Sequence, residues 1–257
     1  MPRVRYEREG DVGQVVLDDP PLNLFGAELI DDLVAAIEEA EGDGIRALVI
    51  RAEGKVFTGG VDVQVFAGLT HEQGAALFED LVAIVHRLES MPVPTIASVH
   101  SLCLTAGFEL ALGCDILLAG ESAGFGLVER VVGLTPGMGG TQRVAERAGP
   151  ARARELVMTG ALYEASTLER WNVVNRVFPD DQLLERTMEF AIDLAAGPPR
   201  AHEATKRMVR AYLDEGVRGA DAHVGDIAAA LFDTEDLQNA VQTFLEQGPG
   251  KATFQGR

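Results

Sequence analysis

The chain has 257 residues, 47% hydrophobic and 24% charged, with a formal net charge of −18 at pH 7; that length fits one large domain, or one domain with an appendage, around a substantial core. The acidic balance disfavours nucleic acid as the main partner, since phosphate neutralisation needs clustered cations and only three lysines occur, Lys55, Lys206 and Lys251. No apolar run of eighteen residues lacks a charge and the first ten residues hold no apolar leader core, so neither a membrane span nor a secretion signal is expected and a cytoplasmic protein is.

Val4 to Arg8 and Val12 to Leu17 read as two strands joined by a Gly10-Asp11 turn. A helix follows near 26–41, with Leu29, Ile30, Leu33, Val34 and Ile37 on one face, then a buried strand over 47–51. The segment Phe57-Thr58-Gly59-Gly60-Val61-Asp62 is too glycine-rich for a regular element. A second amphipathic helix is predicted over 72–88, and Pro92 and Pro94 lead into a strand over 95–99. The pattern then repeats: a loop over 101–106, a short helix starting at Ala106 or Gly107, a strand over 115–119, a further loop carrying Glu129, and a helix over 141–148 opened by Gly139-Gly140. Recurring strand, loop and helix units predict an α/β right-handed spiral. Beyond Gly197-Pro198-Pro199 the pattern is helical, over 200–213, 221–232 and 234–245. The expected division is therefore a spiral core over 1–196 and a helical region over 197–257, whose Ile227, Leu231, Phe232 and Leu237 face either a partner subunit or the spiral.

Glu109 stands inside the apolar run Leu102–Leu112. Glutamate is almost never fully buried without a partner, and burial raises its pKa toward neutrality. Glu129 follows in Phe125-Gly126-Leu127-Val128-Glu129, just before the glycine-rich turn 133–140. Two acids in apolar settings, each beside glycine-rich backbone, point to proton transfer on a neutral carbonyl compound. Asp115, opening a strand, is expected to bind nearby backbone and has no catalytic role. Cys103 and Cys114 fit no zinc or redox spacing, the five histidines form no cluster, and no metal site is expected.

Three blocks together resemble the enoyl-CoA hydratase/isomerase, or crotonase, superfamily. They are Val56-Phe57-Thr58-Gly59-Gly60-Val61-Asp62, the segment Ala106-Gly107-Phe108-Glu109 through Asp115, and Phe125 through Glu129 continuing to Pro136-Gly137-Met138-Gly139-Gly140-Thr141-Gln142-Arg143. The resemblance spans essentially the whole chain. It implies a crotonase-like right-handed spiral of ββα units with a C-terminal helical region serving oligomerisation and closure of the CoA site, and a homotrimer or homohexamer. The substrate it implies is an acyl-CoA thioester, with no cofactor beyond the coenzyme A that the substrate carries.

By the same resemblance, the backbone N–H groups of Val61 and Ala106 form an oxyanion hole. Glu109 orients and helps deprotonate a water, and Glu129 exchanges the proton at C2. Gly59, Gly60, Asp62, Gly107 and Gly137 lie along the substrate. Lys55, and Lys251 with Phe254 from a neighbouring subunit, match positions that reach CoA. The chain departs from the family in having Thr105-Ala106-Gly107 where three glycines are common, Val61 before Asp62, and Val128 before Glu129. The expected activity is hydration of a 2-enoyl-CoA to a 3-hydroxyacyl-CoA in fatty acid or related acyl-CoA metabolism. The alternatives are isomerisation of a 3-enoyl-CoA to a 2-enoyl-CoA, and a non-catalytic binding protein on the same scaffold.

Overall fold

A computed structural model describes residues 2–257. The N-terminal half alternates strands with helices: β1 (Val4–Glu9), β2 (Val12–Leu17), α1 (Ala27–Gly42), β3 (Ala47–Ala52), α2 (His71–Ser90), β4 (Thr95–Val99), β5 (Leu102–Leu104), α3 (Thr105–Leu112), β6 (Ile116–Gly120) and β7 (Gly124–Gly126). There follow α4 (Gly140–Ala148), α5 (Pro150–Thr159), β8 (Tyr163–Glu164), α6 (Ala165–Arg170), β9 (Arg176–Phe178), α7 (Leu183–Ala196), α8 (Pro199–Ala229) and α9 (Glu235–Gln247).

One sheet has the order β1-β2-β3-β4-β6-β9, and the other β5-β7-β8. Only the β1–β2 hairpin is antiparallel in the large sheet. Its inner strands are buried on both faces, which is why β3 reads as the near-continuous apolar run Ala-Leu-Val-Ile. Side chains alternate between two cores. Val15, Leu48, Ile50, Ala97 and Leu117 meet α1, α2 and α3. Val12, Ala47, Val49, Ile96 and Leu118 meet Leu183, Ala191 and Ala195 of α7. Each spiral turn thus lays one strand in each sheet, β4 with β5 and then β6 with β7.

Several boundaries differ from expectation. The segment over 101–106 is not a loop: Leu102–Leu104 pair in parallel with Gly124–Gly126, and the helix begins at Thr105. Glu129 lies not in a loop but at the start of a 3-10 turn, Glu129–Val132. Residues 200–213 and 221–229 merge into α8, which is broken at Gly216 (φ 71°, ψ 179°), a conformation open to glycine alone, while 230–232 fall in the 3-10 turn Ala230–Asp233. Asp115 Oδ2 accepts from both the amide and the hydroxyl of Thr95, at 2.8 and 2.9 Å, and also meets Lys206 Nζ of α8 at 2.7 Å.

The loop ahead of the first glycine-rich block is held by Asn23. Its Nδ2 donates to the carbonyls of Glu53, Val56 and Phe57, at 3.0 to 3.1 Å, while its Oδ1 accepts from Asp19 N at 2.7 Å. Replacing a buried hub of this kind leaves carbonyls unpaired. Asn23→Ala should therefore lower unfolding free energy by about 2 kcal/mol, as read by urea denaturation.

Candidate active site

Three stretches of chain run parallel and leave the small sheet at one end. Leu104 pairs with Gly126 at the ends of β5 and β7, and Thr58 forms a parallel bridge to Cys103. The residues that follow each stretch are Gly59 to Val61, Thr105 and Ala106, and Leu127 to Glu129. They converge on a cavity of about 190 Å³. Gly59, Val61, Thr105, Ala106, Glu109, Glu129, Gly137 and Met138 line it. Phe66, Phe78, Leu81, Val128, Val131, Val132 and Leu134 supply its apolar wall.

Helix α3 is buried along its whole length. As its second residue, Ala106 has an N–H without an intrahelical acceptor, at the end where the helix dipole is positive. Gly107 faces Thr58 so closely that a Cβ would strike the Thr58 methyl group. Glu109 is 2% exposed. Its Oε1 accepts from Met138 N and Gly140 N, both at 2.8 Å. Burial raises the Glu109 pKa; those two amides and the nearby Arg143 guanidinium counter part of the rise. Arg143 is itself held by a two-pronged pair with Glu89, at 2.8 Å for each prong. A Cβ on Gly140 would stand 2.7 Å from Glu109 Cγ, so only glycine admits the acid here.

Glu129 is 8% exposed, and neither carboxylate oxygen has a hydrogen-bond partner. Its pKa is pushed up to about 7, first by burial and further by the charge of Glu109, against its own backbone N–H. The two acids therefore share one cavity and sense each other. Their environments differ: one is anchored by amides, the other is unpaired.

The remaining sequence candidates lie elsewhere. Gly60 is buried behind Val61, whose N–H donates to Thr105 Oγ1 at 3.0 Å. Asp62 caps the turn Val63–Phe66, its Oδ1 accepting from Gln64 N at 3.0 Å. Lys55 and Lys251 are exposed and line none of the cavity wall. Phe254 is half-buried, and its carbonyl accepts from Arg46 Nη1 at 3.1 Å. The motif reading missed Thr105 and the apolar wall. Phe78 sits one residue off the stripe Leu77, Leu81, Ile84, Val85, Leu88, and Val131 is a 79% exposed valine two residues after Glu129. Both are signals of apolar surface kept for a ligand.

Residues 7–257 match the family model described as enoyl-CoA hydratase/isomerase. A Mycobacterium tuberculosis protein named as a probable enoyl-CoA hydratase is 33% identical over 250 residues, 95% of each chain. The Escherichia coli 2,3-dehydroadipyl-CoA hydratase is 32% identical over 226 residues, 88% of each chain. A crystal structure of an enoyl-CoA hydratase subunit from Geobacillus kaustophilus superposes with a TM-score of 0.93 at 34% identity, covering 99% of this chain and 98% of the other. The chain belongs to the enoyl-CoA hydratase/isomerase family, and the fold is that of the crotonases. No helix among the described residues is long and apolar enough to cross a membrane, and among them no cluster of three or more His, Cys, Asp or Glu is placed to hold a metal.

The Glu129 shift has a consequence for stability. Its ordinary value is 4.5 and its folded value about 7, so between these the folded chain keeps a proton that the unfolded chain has released. That contribution is present below the window and is lost as pH rises through it. Glu129→Gln removes the titration. Its melting temperature relative to the parent should be higher well above pH 7 than near pH 4.5, as scanning calorimetry at the two values would show.

Proposed function

We propose that the protein is a 2-enoyl-CoA hydratase. The observation that carries this reading is the pair of buried carboxylates, one anchored and one unpaired, facing one apolar cavity beside the free N–H of Ala106. A thioester carbonyl placed at α3 gains negative charge as water adds at C3, and N–H donors aimed at that oxygen stabilise the charge. Removing one such donor typically costs about 10²–10³ in rate.

Glu109, fixed through Oε1, presents its other oxygen to the water and takes a proton as the oxygen bonds to C3. The π electrons move onto C2 and the thioester. Glu129, whose pKa burial pushes up to about 7, gives C2 its proton. Because the acids interact, the observed pKa values belong to the pair.

The cavity has room for roughly six water-sized groups. That supports a short acyl chain with an apolar end, the CoA moiety remaining outside. Lys55 and Lys251 are cations free to meet its phosphates, the second from a neighbouring copy, with Phe254 beside it. Exposed Val217, Val224, Phe232, Val241, Phe244 and Leu245 on the helical region 197–257 support self-association; the trimer or hexamer rests on family resemblance.

The second reading, isomerisation of a 3-enoyl-CoA, is favoured by the partnerless Glu129, since a single mobile acid suffices for that transfer. Incubation with crotonyl-CoA should bleach the conjugated thioester absorbance. An absorbance that holds steady while a 3-enoyl-CoA is consumed would select the isomerase. Glu109→Gln and Glu129→Gln should each lower kcat by about 10²–10⁴ with little change in CoA-ester binding. The rate should also fall as pH rises past about 7, because Glu129 then loses the proton it must give; near-normal turnover in either variant overturns these roles.

A further inference from the structure

We propose that Arg143 is a positioning residue for Glu109, acting through the single peptide that lies between them, with Glu89 holding its guanidinium in place. This deepens the hydratase reading and rests on it for the role of Glu109 as base. The peptide is the one joining Gly139 to Gly140. Its carbonyl accepts from Arg143 Nη1 at 3.1 Å, and its N–H donates to Glu109 Oε1 at 2.8 Å. The carbonyl and N–H of a trans peptide point in opposite directions, so a cation and a carboxylate grip its two ends. A guanidinium on the carbonyl fixes the peptide plane and polarises it, which makes the N–H a stronger donor. Each end admits its charged side chain because the residue there is glycine. A Cβ on Gly139, which has φ +97°, would take the place of Arg143 Nη1, as one on Gly140 would crowd Glu109 Cγ.

The stability of α4 does not call for this cation. Arg143 is the fourth residue of α4, near the positive end of the helix dipole, where a cation is unfavourable. It is buried, and its charge is met by the two-pronged pair with Glu89, near the end of α2. A buried ion pair is weak evidence for stability, since desolvation offsets the attraction. Arg143 is also no part of the acyl cavity wall. The charged groups that act on Glu109 are Arg143 from α4 and Glu129 from the turn after β7. Behind Arg143 stand Glu89 from α2 and Arg210 from α8, which reaches Glu89 Oε2 at 3.4 Å. Of these, Arg143 is the one whose charge holds Glu109 toward its ionised form, the form able to take a proton from water. The opposing role is a plain tie between α2 and α4, which would leave the titration of Glu109 unchanged.

The test uses the full-length protein carrying Arg143→Gln, and a second variant carrying Glu89→Gln and Arg143→Gln together, which leaves neither charge unpaired. Fold is checked by circular dichroism. Turnover of crotonyl-CoA is measured against pH. Protonation of Glu109 is followed without substrate by infrared titration of the carboxyl band. That titration is made in a Glu129→Gln background, as the difference from the same protein carrying Glu109→Gln. The positioning role predicts a loss of about 10²-fold in kcat near pH 7 in both variants, with a small change in KM. It also predicts that the acid limb of the rate profile and the Glu109 band both move to higher pH. A band that stays at the parental pH, or kcat within a few fold of the parent, overturns the proposal whatever the variants lose in melting temperature. If Arg143→Gln misfolds, the paired variant decides. A parent that fails to hydrate crotonyl-CoA refutes the hydratase reading, and the infrared titration then decides alone whether Arg143 governs Glu109.

Discussion

The arrangement depends on two hydrogen bonds, from Met138 N and Gly140 N to a single oxygen of Glu109. A carboxylate on a wholly buried helix is otherwise untenable, because desolvation costs several kcal/mol unless its charge is met. Backbone amides at the entry of α4 meet it, and Arg143 one turn further along adds positive potential. The same bonds clamp the α4 turn onto α3, so the wall carrying Gly137 and Met138 takes its position from the acid. Only one oxygen is used. The other remains available to a ligand, and for that reason the anchor is compatible with chemistry.

Glu129 receives the reverse treatment. It has no partner and a pKa near neutrality. Burial raises the pKa of both acids, but Glu109 alone has the Met138 and Gly140 amides and the Arg143 guanidinium to counter it, and that difference in surroundings suits a division of labour between acid and base. Topology makes the division possible. The register of β5 on β7 places Thr105 and Ala106 level with Leu127 and Val128, and the bridge from Thr58 to Cys103 adds Gly59 to Val61 to the same rim. Residues far apart in sequence become neighbours because parallel strands send their following residues the same way.

That topology also explains what could be read in advance. The long elements, α1, α2, β2, β3 and β4, carry several periods of apolar spacing and fall within a few residues of expectation. Glu109 and Glu129 were legible because a charge in an apolar run is improbable without a purpose. The three-residue strands β5, β7 and β9 span too little chain to show a period; pairing with distant segments makes them strands. The helices between 149 and 196 lie where glycine and charge interrupt the apolar pattern, and they went unread. Thr105 was invisible for another reason. Its hydroxyl accepts from the Val61 amide, forty-four positions away, and motif matching registers only that the residue is not glycine.

Costly features concentrate around one small space. An unpaired buried acid, a threonine at positive φ, and the glycines at 60, 107 and 140, which have no room for a methyl group, all border the cavity or stand directly behind it. None improves folding, and each would be removed by an obvious substitution if stability alone shaped the chain. The large core beneath, with Phe25, Phe57, Phe108 and Phe125 fully buried, supplies the rigidity that holds them in place. Phe108 and Phe125 pack ring to ring at 5.0 Å, joining α3 to β7 one residue before Glu109 and four before Glu129. Contacts of this kind fix the relative position of the Glu109 and Glu129 segments without spending a polar group. Both carboxylates therefore stay free to be governed by the cavity they face.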